Sequence, residues 1–237
     1  MRPKLVIVLP CYNPPTDWAA HIIATWGVLK NRMPDADLSL IVVNDGSRIP
    51  LSINAISDLK NAISAFKFVN YDQNQGKGYA VREGMKAAEG DYFIYTDIDF
   101  PFEMDCLIRI YEALKNGADV VCGVRQKYDE QLKPKRKFLS LGSHILNKWV
   151  LNLPFKDTQG GLKGFNHQGR TIFLEGKIKR YLFDTEFIIR ATKHPDLTLT
   201  SVAIFARPEI VLSEMSLSVL SKEFDNIFRL IKTRFVG

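Results

Sequence analysis

Cysteine is scarce in this chain: Cys11, Cys106 and Cys122 are the only three in 237 residues, and no two form a CxxC pair. Each lies in an apolar context, so neither a disulfide framework nor a cysteine zinc site is expected, and a reducing, cytosolic compartment fits best. Histidine is also sparse, and His21, His144, His167 and His194 stand in no metal-ligand spacing. No apolar run approaches the ~18 residues that a membrane-spanning helix needs. The five apolar residues Leu5–Leu9, after Met1-Arg2-Pro3-Lys4, are too few for a signal-peptide core. The chain is therefore not expected to cross a membrane by itself. A linker rich in Gly, Ser or Pro is missing, as is any internal repeat, which favours one domain over residues 1–237. Neither GxxxxGK[ST] nor a GxGxxG after a strand occurs, so the common nucleotide-phosphate loops are excluded.

What is present is an ordinary globular mixture, 46% hydrophobic and 24% charged, which excludes a disordered or low-complexity chain. Residues 1–123 alternate short apolar runs with amphipathic stretches, the pattern of βαβ units and a mostly parallel sheet. Strands are predicted at Leu5–Leu9, Leu38–Val43, Phe66–Asn70, Tyr92–Thr96 and Val120–Gly123. Helices are predicted at Asp17–Asn31, Ile53–Ala65, Lys77–Ala88 and Glu103–Asn116, with Gly90 and Gly117 as stop signals after the last two. The expected fold is α/β, a Rossmann-like sheet with helices on both faces. The pattern then changes. Residues 124–212 hold a basic loop, an amphipathic helix at about Arg136–Leu151, the glycine-rich Asp157–Phe165, a helix at about Thr185–Thr192 and a strand at Leu197–Ala206. Residues 213–237 read as an amphipathic helix with Leu217, Leu220, Phe224, Ile227, Phe228, Ile231 and Phe235 on one face. Lys222, Arg229, Lys232 and Arg234 lie on the other, so part of this helix is expected to pack on the core and the rest to contact an interface.

In open α/β sheets the ligand binds outside the carboxyl ends of the strands. Polar residues follow four successive predicted strands: Pro10-Cys11-Tyr12-Asn13, Asn44-Asp45-Gly46-Ser47, Gln73 to Gly78, and Asp97-Ile98-Asp99. Any one of these reads equally well as a turn. Four together, with an aspartate pair on the last, point to a site. Carboxylates two apart at a strand end share a side and repel unless a cation lies between them, and Mg²⁺ or Mn²⁺ suits such oxygen ligands. Gly76-Lys77-Gly78 adds a glycine turn with a cation at a helix start, which suits phosphate. The net charge of +6 is concentrated between Arg125 and Lys148, where seven cations face two acids.

These motifs, in this order, resemble the family 2 glycosyltransferases of GT-A fold, and within them the polyprenyl-phosphate glucose and mannose synthases. Val6 to Asn13 is similar to the opening VxIPxYN motif, Val42 to Ser47 to VDDGS, Asn74 to Gly78 to NxGKG, and Thr96 to Asp99 to TDAD. Gly123-Val124-Arg125 resembles GSR, Arg136 with Ser140 resembles RxxxS, Asp157 to Phe165 resembles DTQxGFKxF, and Phe183 to Glu186 resembles FDxE. The DTQ form resembles the glucosyl-type branch. The resemblance implies a metal-dependent, inverting transferase moving a hexose from a nucleoside diphosphate sugar, of UDP-glucose or GDP-mannose type, to a polyprenyl phosphate. Residues 1–123 would be its nucleotide-binding half and 124–212 its acceptor-binding half. By the same resemblance Pro10, Tyr12, Asn13, Asn44, Asp45, Gly46, Gly76, Lys77 and Asp97 would hold the donor, and Asp97 and Asp99 the Mg²⁺ or Mn²⁺.

Arg125 and Arg136 are the expected clamps of an acceptor phosphate, because guanidinium groups pair with phosphate oxygens. That makes a phosphorylated acceptor, with peripheral membrane contact and no nucleic acid, the expected partner. An alcohol acceptor would instead need a carboxylate base, Asp157 first and Asp184 second. Pro14 stands where relatives usually carry Glu, Asn44 replaces the first Asp of DDGS, and Phe100-Pro101 follow the aspartate pair. A family 2 enzyme with a saccharide acceptor, or a sugar-nucleotide-binding protein without turnover, are the alternatives.

Overall fold

A computed structural model describes residues 1–126, 153–155, 157–208 and 224–235. The first half runs β1 (Lys4–Cys11), α1 (Trp18–Arg32), β2 (Asp37–Asp45), α2 (Ile53–Ala62), β3 (Phe66–Tyr71), α3 (Lys77–Ala87), β4 (Tyr92–Tyr95), α4 (Met104–Lys115) and β5 (Val120–Arg125). Every element predicted there forms, with ends shifted by a few residues. Leu5 to Leu9 have no exposed surface, so β1 reads as a continuous apolar run and not as an alternation. From β1 the chain steps outward to β2 and β3, then returns to lay β4 along the other side of β1, all in parallel. That reversal opens a crevice beyond the ends of β1 and β4.

The second half contributes β6 (Lys163–Asn166), α5 (His167–Leu174), α6 (Phe183–Ala191), β7 (Leu199–Ile204) and α7 (Phe224–Phe235). One seven-stranded sheet, ordered β3-β2-β1-β4-β6-β5-β7, includes strands from both halves. Its strands are parallel except β6, which runs antiparallel between β4 and β5. On one face α1, α2 and α4 bury Trp18, Ile22, Leu29, Leu59 and Ile110, and on the other α3, α5 and α6 bury Val81, Met85, Phe173 and Phe187. The expected α/β architecture with helices on both faces therefore holds.

Two elements differ from expectation. The end of the glycine-rich stretch is β6, and α5 follows it at once. Neither had a legible period: β6 is Lys-Gly-Phe-Asn, and its first residue is a buried charge. Gly164 is required there because a Cβ would lie 2.5 Å from Ile110 Cγ2 of α4. The C-terminal helix is partly buried and partly exposed. Helix α7 packs on α6 through Leu230, which is buried, while Phe228 is 61% exposed. The predicted helix at Arg136–Leu151, and Leu217, Leu220 and Lys222 of the C-terminal stripe, lie outside the described residues. Among the described residues no helix is long and apolar enough to cross a membrane.

The strand that the sequence hides is fastened by an ion pair. Lys163 has 0% exposure; its Nζ lies 2.7 Å from Asp184 Oδ1 on α6 and donates to the Gly160 carbonyl at 2.7 Å. Tyr95 at the end of β4 donates its hydroxyl to the same Asp184 oxygen. Removing one member of a buried pair strands the other charge, at about 3–5 kcal/mol. We expect Lys163→Met to lower unfolding free energy by about that amount in urea titrations. Adding Asp184→Asn, which keeps an acceptor for Tyr95 but no charge, should recover part of the loss.

Candidate active site

The crevice is assembled from loops that hold one another. After β1, Asn13 adopts a left-handed backbone, with φ 47°. Its N–H donates to Ser47 Oγ at 2.9 Å, and its side-chain oxygen accepts from the Arg48 N–H at 2.8 Å. Asn and Asp tolerate this conformation because their short polar side chains bond locally. The β1 and β2 loops are thereby locked side by side. Pro10 sits within β1, opposite Val43 in the ladder, where the next residue but one, Tyr12, is left 41% exposed at the crevice.

Asn44 is buried and fully engaged. Its amide oxygen accepts from the Ser47 hydroxyl at 2.7 Å, and its Nδ2 donates to Asn70 Oδ1 at 2.7 Å. Asp45, only 3% exposed, accepts from the Tyr71 hydroxyl, from Asn74 Nδ2 and from the backbone N–H groups of Gln75 and Gly76, all at 2.8–2.9 Å. Burial and the Asp45 carboxylate push the Tyr71 phenol up from its ordinary pKa, which keeps it a donor. These residues shape the loop between β2 and α3 from within. Gly46, at φ 59°, lets that loop close, since a Cβ would meet the Asn74 nitrogen at 2.5 Å.

The start of α3 differs from the open phosphate cradle that the sequence suggests. The Gly76 N–H is taken by Asp45, and the Tyr79 N–H donates to the Lys179 carbonyl at 3.0 Å. What α3 offers is the Lys77 side chain, whose Nζ lies 2.5 Å from Asp97 Oδ1. Burial disfavours this ammonium, but Asp97, Asp184 and Asp99 outweigh it and raise its pKa. Gly161 lies against the same pair: a Cβ there would be 2.9 Å from Asp97 Oδ2.

Asp97 and Asp99 stand on the turn that leaves β4. Burial, and then the neighbouring Asp97 charge, raise the Asp99 pKa above its usual carboxylate value. The turn ends on Phe100 at φ 45°, which for a bulky residue carries strain of about 1–3 kcal/mol. Two repelling carboxylates, both partly open to solvent, form a hard oxygen donor set that suits a divalent cation. Among the described residues no group of three or more His, Cys, Asp or Glu side chains gathers, so water and substrate phosphates would complete its shell.

On the far wall Arg125, at the end of β5, meets Asp157 through Nε at 2.6 Å and Nη2 at 2.9 Å. Burial works against the Asp157 charge, but Arg125 outweighs it and holds the carboxyl below its ordinary value. Arg136 lies outside the described residues. The remaining predicted residues adjoin in one line, from Asn13 through Ser47, Asp45, Gly76, Lys77 and Asp97 to Gly161, where Gly160 and Gly123 carry it to Arg125 and Asp157.

Of the supports of this line the sequence singled out Asp184 alone, and as a candidate base. Thr158 and Thr185 share a hydroxyl hydrogen bond at 2.9 Å, and Glu186 accepts from the Lys177 and Ile178 N–H groups at 2.7–3.0 Å. Lys163, Asp184 and Glu186 lie inside the DTQxGFKxF-like and FDxE-like motifs, which was the available signal. His21, which touches the Asp99 carbonyl, had none.

Comparison with known proteins matches the glycosyl transferase family 2 model to residues 6–181. A dolichyl-phosphate beta-glucosyltransferase of Dictyostelium discoideum is 32% identical over 165 residues, 65% of this chain and 50% of that protein. One from Trichomonas vaginalis is 28% identical over 197 residues, 78% of this chain and 58% of its own. The chain thus spans little more than half the length of these curated relatives. Among solved structures, mannosyl-3-phosphoglycerate synthase from Rubrobacter xylanophilus superposes with TM-score 0.70 at 18% identity, covering 98% of this chain and 74% of that one. Glucosyl-3-phosphoglycerate synthase from Mycobacterium tuberculosis, in complex with Mn²⁺, UDP-glucose and phosphoglyceric acid, gives TM-score 0.61 at 16% identity, covering 98% and 79%. At these identities the likeness shows the GT-A fold. With that fold, and with the family model spanning most of its length, the chain belongs to glycosyl transferase family 2.

Proposed function

We propose that this chain transfers a hexose from a nucleoside diphosphate sugar to an acceptor that carries a phosphate group. The observation that carries the reading is the Asp97/Asp99 pair, with Lys77 beside it, at the point where the strand order reverses. Displacing a nucleoside diphosphate from the anomeric carbon builds negative charge on the leaving group. A divalent cation held by Asp97 and Asp99 would supply a Lewis acid to neutralise that charge. Lys77 places a second positive charge alongside and keeps Asp97 oriented. Tyr12 presents a partly exposed ring to the nucleoside, and Asp45 keeps the loop leading to Lys77 in register.

On the acceptor side the names of the relatives share a chemistry: dolichyl phosphate in one set, 3-phosphoglycerate in the other. Both are phosphorylated compounds. In the first the phosphate itself would attack, already ionised because its second pKa is about 6. In the second a hydroxyl would attack while the phosphate is recognised. The geometry tempers the expectation that Arg125, with Arg136, clamps a phosphate, because the Arg125 guanidinium is held by Asp157. It also weakens Asp157 as a base: a carboxylate fixed by Arg125 and held below its ordinary value has little affinity for a proton. Arg125 and Asp157 act as one rigid unit that shapes the acceptor wall.

The deciding assay incubates the full chain with Mn²⁺, labelled UDP-glucose or GDP-mannose, and a short polyprenyl phosphate, 3-phosphoglycerate or an unphosphorylated saccharide. We expect product with a phosphorylated acceptor, and loss of at least about 100-fold in kcat/KM with Asp99→Ala, the scale of removing one electrostatic stabiliser. Transfer to the plain saccharide alone, or donor binding with no turnover on any acceptor, would overturn the reading. A second expectation concerns pH. Asp157 has a depressed pKa, so it is ionised throughout the range above the ordinary carboxylate value of about 3.9. The kcat/KM profile between pH 5 and 8 should keep its shape in Asp157→Asn. An acid limb that disappears in that variant would restore Asp157 as the base.

A further inference from the structure

The turn carrying Asp97 and Asp99 is gripped by two side chains that the transfer chemistry leaves unused. His21, near the start of α1, donates from Nε2 to the Asp99 carbonyl at 3.0 Å. Arg207, just past β7, donates from Nη2 to that same oxygen at 2.7 Å. One carbonyl thus holds two side-chain donors from distant parts of the chain. Arg207 is itself placed, because its N–H donates to the Pro101 carbonyl at 2.9 Å and a bridge joins Phe102 to Ala206. The turn is further closed by the Phe100 N–H on the Asp97 carbonyl at 3.0 Å, and the Phe100 side chain is buried in the core. A left-handed phenylalanine persists only where the surroundings over-determine it, and such strain gathers at functional sites.

We propose that His21 and Arg207 are positioning residues for the carboxylate pair: by clamping the Asp99 carbonyl they keep Asp97 and Asp99 at the spacing a divalent cation requires. Neither touches the cation. They stop the peptide after Asp99 from rotating, and so fix where its carboxylate leaves the backbone. Arg207 is also near enough for its charge to favour ionised Asp99. The inference rests on the reading of Asp97 and Asp99 as the metal-holding pair, and its test separates the two.

Mn²⁺ is titrated into the full chain, with free ion read by electron paramagnetic resonance and thermal midpoints recorded in parallel. His21→Ala and Arg207→Ala should each raise the Mn²⁺ Kd about 3–10-fold and the double variant about 10–100-fold, the range seen for residues that orient ligands. His21→Gln and Arg207→Lys, which retain a donor, should recover most of the affinity. Asp99→Ala is the control. If it abolishes binding while the double variant binds as wild type, the positioning role is wrong. If Asp99→Ala itself binds as wild type, the metal reading fails instead. Weakened binding that follows the thermal midpoint and is not rescued by the conservative variants would mark a merely structural contact, and would also overturn the proposal.

Discussion

The constraint on which the site depends is a pair of charges buried in the core, Lys163 and Asp184. Ions of this kind are retained only where their remaining donors and acceptors are met. Here Tyr95, the Gly160 carbonyl and the pair's own contact meet them. The pair adds a polar tie to parts that also meet through the Phe165 and Phe187 rings. It binds an antiparallel strand to the helix behind it and pulls the Gly160–Gly161 turn toward the end of β4. Successive helical residues point about 100° apart, so three in a row can serve three directions. Asp184 holds Lys163, Thr185 meets Thr158, and Glu186 gathers the N–H groups of Lys177 and Ile178. One helical turn therefore seats the wall that carries Asp157 and the loop whose Lys179 carbonyl caps α3.

Asp45 does the corresponding work on the donor side, drawing four donors around one carboxylate. Between these two anchors the crevice carries Asp99, Asp97, Lys77, then Asp184 with Lys163. Lys77 has carboxylates on both sides, Asp97 and Asp99 on one and Asp184 on the other, which is why its charge survives its burial. The arrangement leaves one unbalanced element. Asp97 is shared with Lys77, Asp99 is not neutralised by it, and the excess of negative charge sits at the solvent edge. A divalent cation bound together with a diphosphate would bring both signs to a place that already separates them.

The sequence revealed most where one physical signal dominates. Runs such as Leu5–Leu9 and the amphipathic helices between them made the first five strands legible, and the candidate edge was read from the polar residues that follow four of them. It failed at β6, where Lys163 and Gly164 break every strand pattern because they answer to an ion pair and to a close helix. It was only partly right about function-bearing groups. Asn44, Asp45 and Gly76 were expected to contact a donor, and the structure shows them spending their polar atoms on one another's loops. Arg125 was expected to face a phosphate and instead faces Asp157. Motif spacing points to residues that the fold brings to one crevice, but it cannot distinguish a side chain that meets a ligand from one that holds the backbone meeting it.

That distinction bears on whether the departures at Asn44 and Pro14 imply a protein without turnover. At Asn44 the substitution is consistent with its surroundings. The amide donates to Asn70 Oδ1 and accepts from Ser47, two roles that a carboxylate could not combine. An aspartate there would place a second buried charge beside Asp45 and would keep the Asn70 contact only if the Asn70 amide turned over to donate. The loop has been rebuilt around the amide, and the residues that would meet the diphosphate, Lys77, Asp97 and Asp99, lie beyond it. Pro14 follows Asn13, whose left-handed backbone is pinned by Ser47 and Arg48, so the loop keeps its course without a carboxylate at that position. Both changes act on how the crevice is framed and leave its charged floor intact, which favours a working transferase over a binding relic.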